Sequence, residues 1–249
     1  MIKLLIIFCI FTTILNAREI GQIEITTEEG IEVYQKEKYY LLKSNVEIKS
    51  DNFNLKADLV KAFFDKDLYD ITNIQAEGNV ILKSTKEIQA MGNKIDFNAK
   101  NENIHIEGKE SYLKNKTIIM KSDKLIEVNN DSGEFKLSGF NSEIITTNLH
   151  ITGTKIEGNY INVDGENIVE KLMVEDKTQI FIKTETLDMY ALKAEYDKKN
   201  NIIELFDNVK IFRNEEQITG DYAKINTLDE SYKITSNKTN KVRVLLKQN

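Results

Sequence analysis

The feature that most constrains this chain is a period of two: apolar and polar residues alternate in short runs almost throughout, and no stretch sustains a helical period for three turns. The alternation is seen in Val46-Glu47-Ile48, Phe53-Asn54-Leu55-Lys56-Ala57 and Ile104-His105-Ile106. It returns in Ile180-Phe181-Ile182, Ile203-Glu204-Leu205, Val209-Lys210-Ile211 and Val242-Arg243-Val244. Extended backbone puts successive side chains on opposite faces, so each run predicts a half-buried strand and the chain as a whole an all-β fold. Glu77-Gly78-Asn79, Asn129-Asn130-Asp131-Ser132-Gly133, Glu157-Gly158-Asn159, Asp164-Gly165 and Lys198-Lys199-Asn200-Asn201 carry turn chemistry and are expected as hairpins. The sequence contains 0 prolines, which leaves every backbone donor available for pairing, at sheet edges included.

The runs also repeat. Asn45-Val46-Glu47-Ile48, Asn79-Val80-Ile81-Leu82 and Asn208-Val209-Lys210-Ile211 each open a unit, the first two 34 residues apart. A second signature follows each opening: Leu55-Lys56-Ala57-Asp58, the run from Ala90 through Gly92-Asn93 to Phe97, Lys121-Ser122-Asp123-Lys124-Leu125, and Thr219-Gly220-Asp221-Tyr222-Ala223-Lys224-Ile225. Degenerate copies fall near Ser142 and Thr178. About six such units describe a stacked array in which no unit buries its apolar face alone.

A length of 249 residues suits one large domain or a row of small units. Residues 1–17 read as a secretory leader, with Lys3 as a short basic start, an apolar run from Leu4 to Leu15, and Ala17 at the cut. Leu15 stands where a small residue is usual, so an uncleaved anchor stays open, although the run is short beside the roughly 20 apolar residues of a span. The formal charge of −6 becomes −7 without Lys3, which argues against nucleic acid and anionic membrane surfaces as partners. Cys9, the sole cysteine, lies inside the leader, so the exported chain has no disulfide, thiol nucleophile or Cys-based metal site.

Alternation assigns one face of the sheets to the interior. The inward row comprises Val46, Ile48, Phe53, Leu55, Val80, Leu82, Ile95, Phe97, Ile104, Ile106, Phe135, Leu137, Ile180, Ile182, Ile203, Leu205, Val209 and Ile211. On the residues alone, this row reads as the core of a sandwich.

The recurring Gly-Asn-Val, alternating strand, Gly-Asp and strand pattern resembles the OstA-like repeat of the LptA family of periplasmic lipopolysaccharide-transport proteins. It is clearest at residues 74–108 and 202–246. The resemblance implies a twisted antiparallel jelly roll, V-shaped and open along one side and at both ends, over residues 18–249 or as two segments of about 18–140 and 141–249. It turns the inward row into a groove for the acyl chains of lipid A, with no cofactor and no metal. It further implies bridging of the two membranes, with LptC-like and LptD-like proteins and further copies of the chain pairing at the edge strands around Ile23 to Ile25 and Tyr232 to Leu246. Within the poorly matching stretch 142–175, Ile151-Thr152-Gly153-Thr154-Lys155-Ile156-Glu157-Gly158 is also similar to LptC, which keeps a membrane anchor. On this view each buried acyl methylene is worth about 0.8 kcal/mol, and Phe97→Asp is expected to weaken lipid binding while the fold survives.

Two other classes compete. An enzyme finds little support: His105 and His150 are the only histidines, both on alternating strands, and no Gly-x-Ser-x-Gly, P-loop or His-x-x-x-His motif occurs. Asn129 to Glu134 lacks the ligand spacing of a calcium loop. An exported structural β array predicts the same row packed shut, with no lipid binding.

Overall fold

The structure is a computed structural model that describes residues 21–66, 70–85, 87–214, 216–237 and 241–246. The leader expected at residues 1–17 lies outside the described residues. Among the described residues no helix is long and apolar enough to cross a membrane. Eighteen strands among the described residues make one continuous antiparallel sheet. The first half comprises β1 (Glu24–Thr26), β2 (Ile31–Tyr34), β3 (Tyr39–Lys49), β4 (Phe53–Phe64), β5 (Ile71–Ser84), β6 (Gln89–Asn98), β7 (Ile104–Glu107), β8 (Ser111–Lys114) and β9 (Ile119–Ser122). The second comprises β10 (Leu125–Asn129), β11 (Glu134–Ile145), β12 (His150–Val163), β13 (Glu166–Lys183), β14 (Asp188–Asp197), β15 (Ile202–Arg213), β16 (Glu216–Asn226), β17 (Tyr232–Thr235) and β18 (Arg243–Leu245).

What turns one sheet into two layers is a corner in the middle of the long strands. Pairing breaks between Lys43 and Val46, between Glu77 and Val80, between Ser138 and Ser142, and between Phe206 and Val209. Left-handed backbone sits in those gaps: Ser44 and Asn45 (φ 61° and 51°), Gly78 and Asn79 (78° and 47°), Asn141 (56°), Asp207 and Asn208 (63° and 54°). Asn and Asp enter this region more readily than other side chains, so the Asn that opens each repeat marks a bend. Acidic residues on neighbouring strands hold the corners: Asn79 Nδ2 donates to Asp58 Oδ2 at 3.0 Å, Asn141 Nδ2 to Asp123 Oδ2 at 3.1 Å, and the Asn237 amide to Asp221 Oδ2 at 2.8 Å. Ser122, Ser142 and their mutual 3.2 Å contact fill the column where it is buried. The repeat read from the sequence is therefore a strand pair with two corners.

Each bent strand contributes one arm to each layer. Layer one contains β2, residues 39–43, 59–64, 71–77 and 94–98, β7, β10, and residues 134–138, 155–163, 166–175, 193–197, 202–206 and 222–226, ending in β17. Layer two contains the other arms, from β1 through β8 and β9 to β18. Two hairpin expectations need correction. Glu77-Gly78-Asn79 is a corner inside β5, and Glu157-Gly158-Asn159 lies within β12, where Phe135 sits so close that a Cβ on Gly158 would stand 2.7 Å from its ring. Asn129 to Gly133, Asp164-Gly165 and Lys198 to Asn201 do turn hairpins.

Corner glycines and turn glycines thus carry different loads. A Cβ on Gly78 would lie 2.3 Å from Asp58 Oδ2 at a φ of 78°, whereas Gly165, φ 81°, has nothing within 4 Å. Gly165→Ala should cost only the left-handed backbone term, about 1 kcal/mol, and Gly78→Ala about 2–3 kcal/mol. Thermal melts should show drops of about 3 °C and about 6 °C; equal drops would contradict a load-carrying corner.

Candidate functional site

Because the corners fold every strand back on itself, the inward faces of the two arms confront each other across a seam. In layer one a single row of paired apolar residues crosses the strands from Leu42 through Val60, Ala76, Ile95, Ile106, Ile126, Leu137, Ile156, Val174, Ala194 and Leu205 to Ala223 and Ile234. In layer two the facing row runs from Ile25 through Ile48, Leu55, Leu82, Ala90, Leu113, Met120, Ile144, Ile151, Ile182, Met189 and Ile211 to Ile218 and Val244. Phe97, Ile104, Phe135 and Ile203 belong to a second row of layer one, nearer the free rim. Val46, Val80, Ile180 and Val209 stand beside the corners, and Phe53 stands near the rim of layer two. Neither main row contains a polar residue.

All eighteen residues expected on the inward face are buried, none more than 6% exposed, in one apolar cluster. Residues of both rows belong to one buried apolar cluster, so the interior is occupied by the chain's own side chains. In water two such rows collapse together unless something apolar separates them. Phe97, 2% exposed and packed edge-on to Phe53 at 5.9 Å, is accordingly a core residue. A charge there attacks folding, so Phe97→Asp does not isolate binding as the sequence reading expected.

The layers part at their free rims in two places. The first mouth, about 550 Å³, is lined by Ile88, Ile104, Leu113, Ile118, Met120, Val128 and Tyr160, with Lys100, Asn115, Lys116, Asn130 and Asn162 around them. The second, about 560 Å³, is more polar and lies among Thr146 to His150, Lys183 to Glu185, Tyr196, Lys198, Thr227 and Glu230. At the borders of these mouths the rims are tied across: Ser84 Oγ donates to Glu102 at 3.0 Å, Thr117 Oγ1 to the Asn167 carbonyl at 2.6 Å, and Thr186 and Arg213 both donate to Glu230. At the two edges of the described sheet the apolar face reaches solvent, with Ile31 47% and Val244 49% exposed.

The histidines and most carboxylates face outward. His105 sits between Glu107 at 2.7 Å and Glu127 at 3.0 Å on the outer surface, and its hydrogen bond holds the Glu107 carboxyl below the usual range. His150 lies edge-on to Phe181 at 6.0 Å. Lysines pair with outer carboxylates, as in Lys49 and Lys56 with Glu47, and such exposed pairs add little stability. Among the described residues no group of three or more acidic, His or Cys side chains is placed to hold a metal.

Sequence reasoning missed the residues that shape the first mouth. Leu113, Ile118 and Met120 lie in the short strands and turn that follow the corner at Gly108 and Glu110, and Ile88 lies in the β5–β6 turn, where alternation is too brief to read. Tyr160 was also missed; it stacks on Phe135 with centroids 6.5 Å apart and donates its hydroxyl to Asn130. Its signal was an aromatic flanked by Asn159 and Asn162, which reads as a turn.

The family described as LptA/(LptD N-terminal domain) LPS transport protein matches the chain twice, over residues 24–134 and 121–231. Among solved structures, LptH, the LptA homologous periplasmic component of the lipopolysaccharide transport device of Pseudomonas aeruginosa, is matched at 12% identity. That match covers 53% of this chain and 95% of that one, with a TM-score of 0.44. No curated protein matches.

Burial pushes the Tyr160 phenol up to about 12, with Glu102 adding to the effect, and burial does the same to Tyr196. An unfolded phenol ionises near pH 10, so the neutral rings contribute stability that is complete below about pH 10 and lost as pH rises towards 12. Denaturant midpoints should fall across that window, and Tyr160→Phe should flatten the fall. An unchanged pH slope in Tyr160→Phe would show that the ring at the mouth is not buried.

Proposed function

This chain belongs to the LptA/LptD N-terminal family of lipopolysaccharide-transport proteins, and from that premise we propose that it shields the acyl chains of lipid A between its two β layers while lipopolysaccharide crosses the periplasm. The family is one of transport proteins, and the chain is not an enzyme. The observation that carries the reading is the pair of facing rows, apolar from the first strand to the last, which gives a lipid tail the same surroundings at every strand it passes. Attraction of that kind scales with buried area and has no directional chemistry, which suits a cargo that must move along the protein. The apolar first mouth supports lateral entry of a tail, since Leu113 and Val128, each 8% exposed, stand at its edge.

Bridging is supported by the ends. The outer edges of β1 and β2 at one end and of β17 and β18 at the other have no further strand among the described residues, and a sheet edge is a template for an incoming strand. With Ile31 and Val244 half exposed, stacking another copy, or an LptC-like or LptD-like relative, on either edge would carry the apolar rows onward. The unbroken sheet over both family matches favours a single seam over two separate ones. Export by cleavage near Ala17 completes the proposal.

Fluorescent lipopolysaccharide should bind the purified protein saturably. Leu113→Ser, which removes apolar contact at the mouth, should weaken binding about tenfold, equivalent to about 1.4 kcal/mol, while Phe206→Ser on the outer face should leave it unchanged in protein whose melts show it folded. Absence of saturable binding by the parent protein would sink the carrier reading and leave a structural β array.

A further inference from the structure

The hairpin between β12 and β13 outgrows the sheet that bears it. β11 pairs with β12 only as far as Asn159, and β14 pairs with β13 only from Lys171 onward. Beyond those points Tyr160 to Val163 pair with Glu166 to Val169 as a two-stranded ribbon, whose only other backbone-to-backbone tie among the described residues is the Tyr160 N–H donating to the Gly133 carbonyl at 3.0 Å at its base. A bulge marks its base, because Asn159 pairs with Lys171 and Tyr160 with Val169, leaving Glu170 over. Such an extra residue bends a strand. Here the ribbon leans across the seam until its tip meets the β8–β9 turn of the other layer.

The grip at the tip is slight. Thr117 Oγ1 donates to the Asn167 carbonyl at 2.6 Å, and Lys116 lies 3.7 Å from Glu166 with both side chains more than half exposed. Residues 161–166 are all exposed, Ile161 and Val163 among them, so no apolar burial secures the tip. The base is different: Tyr160 and Val169 are 7% and 5% exposed, and the Tyr160 ring lies on Phe135. A two-stranded ribbon held only by an exposed ion pair and a hydrogen bond has little stability of its own, whereas its root is part of the core. Such an element opens locally without unfolding what bears it.

Position gives this a consequence. Asn162, Gly165 and Asn167 form a wall of the first mouth, and the second mouth begins on the far side, among residues 146–150. We propose that residues 161–168, hinged on the buried Tyr160 and Val169, are a releasable strap across the seam, whose detachment from Thr117 and Lys116 joins the two mouths and admits a multi-acyl lipid sideways. The inference rests on the carrier reading and assigns that site its gate.

A disulfide between Thr117→Cys and Asn167→Cys, in the full chain with Cys9→Ser, would fix the strap. Oxidised, this variant should bind fluorescent lipopolysaccharide at least about tenfold more weakly than its own reduced form, because the competent state is no longer populated. A control pair, Ile161→Cys with Ile168→Cys, which face each other within the ribbon and line neither mouth, stiffens it without tying it to the other rim and should bind normally when oxidised. Undiminished binding by the oxidised Thr117–Asn167 pair overturns the strap. If the parent itself fails to bind, the carrier reading falls, and the strap is judged by nitroxide labels at positions 117 and 167. Two separations, one clasped and one longer, support it, whereas a single short separation overturns it.

Discussion

The fold depends on burying two apolar rows against each other. Neither arm of the bent sheet hides its inward face alone; the corners bring the arms together, and the facing rows then exclude water from Leu42 to Ile225. Corner geometry comes first in this scheme. Left-handed residues turn β3, β5, β11 and β15, and amide-to-carboxylate contacts from Asn79 to Asp58 and from Asn141 to Asp123 tie two of these corners to their neighbours. A stack of such bends has no natural end, and at both edges of the described sheet apolar side chains such as Ile31 and Val244 are left half exposed.

Much of this was legible in the residues. Period-two alternation is a direct reading of strand geometry, and all eighteen residues assigned inward from it are buried. The repeat was legible too, but its meaning was not. Asn79 and Asn208 look like hairpin residues because the left-handed backbone that closes a turn is the same backbone that bends a strand. Only the partner strand distinguishes the two, and Asp58 is 21 residues away. The stretch 142–175 matched poorly because β12 bends at Gly153-Thr154 and β13 through Asp176 to Gln179, without the Asn that marks other corners. The mouths depend on where turns of opposite layers meet, which alternation does not encode.

A seam filled by its own side chains and a seam that carries lipid are compatible on energetic grounds. Parting the rows exposes apolar surface at about 25 cal/mol per Å², and acyl chains entering between them cover it again at a similar rate. The exchange is close to balanced, so a tail is neither trapped nor expelled, provided that it enters as the rows separate. Rim contacts then matter more than the interior: Ser84 to Glu102, Thr117 to Asn167 and Thr186 to Glu230 are polar ties that water replaces at small cost.

The most direct measurement of the central claim is photocrosslinking to lipopolysaccharide in exporting cells, with a photoreactive side chain placed in turn at inward Phe135 and Val128 and at outward Phe206 and Phe181. Crosslinks from the inward positions alone are the predicted result. Labelling from the outward positions, or from neither set, would contradict passage of lipid between the layers.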